Sequence, residues 1–60
     1  NLNNSKMKNW YFYSTNDKRK EQINTYKADS KEESIEYFAK VKQMSIDVFL
    51  TIYIVEECKI

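Results

Sequence analysis

The chain predicts a small α+β domain of ββαβ order. In it a three-stranded antiparallel sheet, strand order 2-1-3, carries one helix and a short helical turn on one face. Three observations lead there. Four consecutive aromatics at residues 10–13 read as a central strand, Ser30-Lys31-Glu32-Glu33 reads as the start of a helix, and Thr51 to Glu56 is a β-branched and aromatic run.

Asn1 to Lys6 is polar and without period, and Met7-Lys8 resembles a natural start. Residues 1–8 are therefore expected to be a polar leader or an added remnant, 9–57 the domain, and 58–60 a tail, with Glu57 already loose. The first strand, Asn9 to Thr15, is apolar on both alternating sides, which means that both faces are at least partly covered. Trp10 and Phe12 point one way, Tyr11 and Tyr13 the other. Asn16 to Lys20 is a turn, because Asn and Asp bond their own backbone and tolerate turn geometry. Glu21 to Ala28 is an edge strand, with Ile23 and Thr25 on one face and Tyr26 and Ala28 on the other. Its charges discourage edge-to-edge pairing.

Ser30 caps the helix, Glu33 reaches back, and Glu32 and Glu33 suit the positive end of the helix dipole. The helix runs to about Gln43. Its buried stripe is Ile35, Phe38, Ala39 and the stem of Lys42, flanked by Ser34 and Val41. Glu36 and Lys40 stand four apart in the favourable order. Met44-Ser45 breaks the register, and Ser45 caps a short turn carrying Ile46, Phe49 and Leu50. On the third strand Ile52 and Ile54 face one way and Tyr53 and Val55 the other. Docking this strand beside the aromatic one makes every neighbouring pair antiparallel and leaves one sheet face without a helix.

Composition narrows the chemistry. The 60 residues contain no His, Gly or Pro and one Cys. The usual zinc, haem and iron–sulfur ligand sets cannot be assembled within one copy. The Ser-His and Cys-His nucleophile pairs and the glycine-rich phosphate loops are missing too. Glu32, Glu33, Glu36 and Asp29 have no evident pocket to desolvate them, and Cys58 lies near two glutamates that disfavour a thiolate. The expectation is a protein that is not an enzyme, with no metal, no cofactor and no small-molecule substrate.

Charge is dipolar. Residues 1–20 carry net +4 and residues 21–60 net −3, unlike the uniformly basic surface of a dedicated nucleic-acid binder. No apolar run approaches the roughly 20 residues that span a bilayer, so no membrane role is expected. The lone cysteine fits a reducing compartment, hence the cytoplasm, or a host-cell interior if phage-encoded. Lys outnumbers Arg nine to one, and residues with A/T-rich codons abound, which points to an AT-rich genome such as that of a phage, a low-GC bacterium or a parasite.

The sheet face opposite the helix is the candidate binding surface. An uncovered apolar patch usually marks an interaction site, and a domain this small gains stability from a partner surface. Tyr11 and Tyr13 are taken as its outward pair, because a phenol tolerates a wet rim. Tyr53 and Val55 are taken as their neighbours on the third strand. The expected function is a non-enzymatic protein-binding module, such as a phage or accessory regulator docking on a larger host protein or assembly, or forming a homo-oligomer. One alternative is a single-stranded nucleic-acid binder that stacks bases on Tyr11 and Tyr13 and meets phosphates with Lys18, Arg19 and Lys20. Another is a structural subunit of a large particle.

Overall fold

The computed structural model describes residues 7–58. Strands β1 (Lys8–Ser14), β2 (Asn24–Ala28) and β3 (Tyr53–Glu57) form one antiparallel sheet in the order β2-β1-β3. Helices α1 (Lys31–Val41) and α2 (Ile46–Ile52) lie between β2 and β3 in the chain. The aromatic run is the central strand, as its composition predicts. Trp10 stands opposite Tyr26 and Glu57, Phe12 opposite Asn24 and Val55, and Tyr11 opposite Thr25 and Glu56.

The core is one cluster between the sheet and both helices: Trp10, Phe12, Ala28, Phe38, Ala39, Phe49 and Val55. Tyr26, Ile35, Met44 and Tyr53 pack against it. Both helices therefore cover the same sheet face, the one bearing Trp10 and Phe12. The buried indole of Trp10 donates its N–H to the Ala28 carbonyl at 3.0 Å, and buried Ser34 donates its hydroxyl to the Lys31 carbonyl at 2.7 Å. Among the described residues no buried side-chain polar atom lacks a partner, which matters because an unpaired one costs about 1–3 kcal/mol.

Helix α1 begins as the sequence predicts. The Ser30 hydroxyl accepts from the Glu33 N–H at 3.2 Å, while the Glu33 carboxylate reaches one residue beyond the cap and accepts from the Asp29 N–H at 3.2 Å. Ser30→Ala is expected to destabilise the domain by about 0.5–2 kcal/mol. Chemical denaturation checks this, and a wild-type midpoint would argue against the cap. The stripe is rotated slightly from expectation: Ser34 is buried with Phe38 and Ala39, whereas Val41 is exposed. The helix ends two residues earlier than predicted, at Val41. The Gln43 N–H bonds the Lys40 carbonyl and the Met44 N–H bonds the Ala39 carbonyl, both at 3.0 Å. Gln43 takes φ 59°, the left-handed position that glycine usually fills in this Schellman closure.

The connection from β1 to β2 is longer than the predicted turn. One oxygen of the Asp17 carboxylate accepts from the Arg19 N–H at 3.0 Å and the other from the Glu21 N–H at 3.1 Å. That organises the loop and diverts residue 21 from the sheet, so β2 starts at Asn24. Regular pairing is preceded by a bond from the Ile23 N–H to the Phe12 carbonyl at 2.9 Å. At the other end of the sheet, Lys8 already belongs to β1 and Glu57 to β3, and the Cys58 N–H bonds the Asn9 carbonyl at 2.7 Å. Lys8, expected ahead of the domain, is thus part of the sheet, and Glu57, expected to be loose, is paired. Residues 1–6 and 59–60 lie outside the described residues.

Candidate functional site

The outward sheet face is built around one carboxylate. Alternation puts Tyr11 and Tyr13 of β1 opposite Glu56 and Ile54 of β3, with Thr25 beside Tyr11 on β2. Glu56 grips both tyrosines: one carboxylate oxygen accepts from the Tyr11 hydroxyl and the other from the Tyr13 hydroxyl, each at 3.1 Å. The two rings stack with centroids 5.9 Å apart and planes at 28°. Tyr13 is only 4% exposed although it faces away from both helices, whereas Tyr11 is half-buried and Ile54 is 37% exposed. What the face presents is the edge of Tyr11, the side chain of Ile54, and the polar Thr25 and Lys27.

Electrostatics follow the same geometry. The hydrogen bond to Glu56 raises the Tyr11 phenol above its ordinary 10.0, with desolvation and the Glu56 charge adding to it. For Tyr13 burial is the leading cause, followed by the bond to Glu56. A phenol raised in the folded state contributes stability that is complete below the ordinary tyrosine value and is lost as pH rises through the raised one. Glu56→Gln is therefore expected to lower both ionisations, Tyr11 more than Tyr13, and to weaken the alkaline dependence of unfolding. Phenolate absorbance during titration checks this; unchanged titration would mean that Glu56 does not hold the pair.

Two residues assigned to this face do not lie on it. Val55 stands opposite Phe12 and is 1% exposed, and Tyr53 stands opposite Ser14 and packs on the core. The register between β3 and β1 turns both toward the helices. The Tyr53 ring lies 5.1 Å from Phe12 and 5.0 Å from Phe49, and Lys42 Nζ sits 5.5 Å over it. The phenol thus finds its amphipathic rim on the helix side, beneath a lysine. Ile54 and Glu56 take the outward places instead.

Lys18, Arg19 and Lys20 are exposed on the loop after β1, and the structure does not bring them into a shared contact with the tyrosines. Cys58 is half-buried at the end of β3. Among the described residues no group of His, Cys, Asp or Glu is placed to hold a metal ion, and no helix is long and apolar enough to cross a membrane.

Two features were not read from the sequence. Tyr26 and Tyr37 stack face to face, 3.7 Å apart at 6°, over a shallow depression shared with Glu33, Glu36 and Lys40. The second is the exposed aliphatic surface of α2, which buries only Phe49 and leaves Ile46, Val48, Leu50 and Ile52 each 37–48% exposed. The signal was in Ile46–Ile52: five apolar residues among seven exceed what one face of a two-turn helix can bury. Comparison with protein-family models, with curated proteins and with solved structures finds no match for this chain.

Proposed function

We propose that this chain acts by binding a larger protein through its outward sheet face, without catalysis. The observation that carries the reading is the Tyr11–Tyr13–Glu56 cluster, on a face that neither helix covers. A tyrosine fixed by a stacked neighbour and a carboxylate has little freedom left to lose on docking, and an amphipathic ring beside an exposed isoleucine suits the core and rim of a protein interface. Size and composition suit an accessory or phage-encoded regulator acting inside a cell. Base stacking on the same face is less well supported, because Glu56 sets a negative charge between the tyrosines where a phosphate-bearing strand would lie.

The test is affinity capture from an extract of the source organism, with and without nuclease. The expected result is a protein partner that survives nuclease and added salt and is lost with Tyr11→Ser or Ile54→Ser. Tyr13 is left intact, since its burial makes it part of the fold. Recovery that instead disappears with nuclease, falls steeply with salt and requires Lys18, Arg19 and Lys20 would transfer the function to nucleic acid.

A further inference from the structure

The carboxylate at the centre of the outward face is only half used. A carboxylate offers about four lone-pair positions, shared equally by its oxygens. Tyr11 takes one on the first oxygen of Glu56 and Tyr13 one on the second. Each oxygen thus keeps an acceptor position free, and Glu56 is exposed. With both oxygens accepting, the group has acceptors to offer and no proton. The two hydroxyls also fix its orientation, so a ligand meets it already in place.

The ring beside it is half used too. Tyr13 stacks on one face of Tyr11, and among the described residues no second aromatic ring covers the other. Tyr11 lines a depression at the Cys58 end of the sheet, together with Trp10, Glu56, Glu57, Cys58 and Lys31. Two carboxylates against one lysine leave that depression negative. Lys27, the other charge on the outward face, stands opposite Asn9 on β2, with β1 between it and Glu56.

We propose that Glu56 and the open face of Tyr11 form a socket for an arginine of the protein partner. A guanidinium presents parallel N–H donors spaced for both oxygens of a carboxylate, and its plane stacks on an aromatic face. A lysine ammonium is a point charge and matches neither the fork nor the flat ring as well. Tyrosine and arginine are also the residues on which interface affinity concentrates. Ile54 flanks the socket along β3 and is exposed. The partner is therefore a protein with an exposed arginine beside an apolar side chain that covers Ile54. One charge pair gives only a modest dependence on salt, unlike a phosphate strand.

This inference rests on the outward face being the docking surface, so its test uses a probe that needs no partner. Acetyl-arginine amide is titrated into the isotope-labelled full chain and followed by NMR, beside its lysine analogue and its citrulline analogue, which keeps the shape without the charge. The expected result is saturable shifts at Tyr11, Ile54 and Glu56, with a dissociation constant in the millimolar range, as so small a ligand allows. Citrulline amide, and arginine amide with the Glu56→Gln variant, are each expected to bind at least about tenfold more weakly. Lysine amide is expected to fall between arginine and citrulline. Saturating arginine amide is expected to lower the pH at which Tyr11 ionises, because the bound cation offsets the Glu56 charge that raises it. Equal binding of arginine and citrulline amides to the unaltered chain would overturn the socket, as would binding indifferent to Glu56→Gln or shifts centred on another carboxylate. The proposed function fails differently, through an extract that yields no partner dependent on Tyr11 and Ile54. A partner that needs both residues but is indifferent to Glu56→Gln would leave that function standing and overturn the arginine.

Discussion

Phe12→Ala is expected to leave most of the protein unfolded at room temperature. Phe12 is buried at the middle of the central strand, and its ring lies 4.6 Å from Phe38, 5.3 Å from Phe49 and 5.1 Å from Tyr53. It is thus the ring shared by α1, α2 and β3. Truncation of such a residue costs about 3–5 kcal/mol through lost transfer energy and the cavity left behind. A core of this size supplies little more than that in total. Near-ultraviolet circular dichroism and amide dispersion should collapse together, while Phe12→Leu, which keeps much of the volume, should remain folded with a lower midpoint. A cooperative transition near the wild-type midpoint for the alanine variant would mean that the cluster is not the core.

Phe49→Ala is expected to have an effect of the same size for a different reason. It is the sole buried residue of α2, so without it the helix has no apolar anchor. The backbone bonds of a two-turn helix cannot hold it alone, because isolated helices shorter than about 12–15 residues are marginal in water. Loss of α2 would also uncover Tyr53 and Phe12, which its ring contacts. Hydrogen exchange should therefore show protection falling across the sheet as well as at α2, with a global loss of about 3–5 kcal/mol. Exchange that rises only in α2 would define it as a separately unfolding unit.

Much of the architecture was legible because its signals are local. Ser30 and Ser45 cap helices in both sequence and structure, and the aromatic density of residues 10–13 marks the central strand, from which the order β2-β1-β3 follows. Trp10 and Phe12 face the helices as their size suggests. The facing of β3 was not legible. Both alternating sets are apolar over Ile52–Val55 and both end in a glutamate, so no contrast between faces distinguishes them. The choice is made by register against β1, which a single sequence does not display. The start of β2 was hidden for a similar reason. Nothing in Glu21-Gln22-Ile23 excludes a strand, and it is the carboxylate of Asp17 that takes the Glu21 N–H. Tyr11 and Tyr13 point away from the helices as alternation predicts, though Tyr13 is buried rather than at a wet rim; Glu56 escaped notice because its role depends on that same register.

The strand order also bears on when the domain can form during synthesis. The central strand is made first, and one of its neighbours is made last: Tyr11 and Glu56, partners across the sheet, are 45 residues apart in sequence. The ribosome thus delivers the most aromatic segment well before the strand that closes its second edge. A β1–β2 hairpin is available early, but a lone two-stranded hairpin is at best marginally stable in water. Until β3 arrives, Trp10 and Phe12 have only a partial shelter, and an unpaired strand edge stays open to other chains. Closing that long-range contact requires ordering nearly the whole chain at once, which favours a single concerted folding step of moderate rate over stepwise assembly.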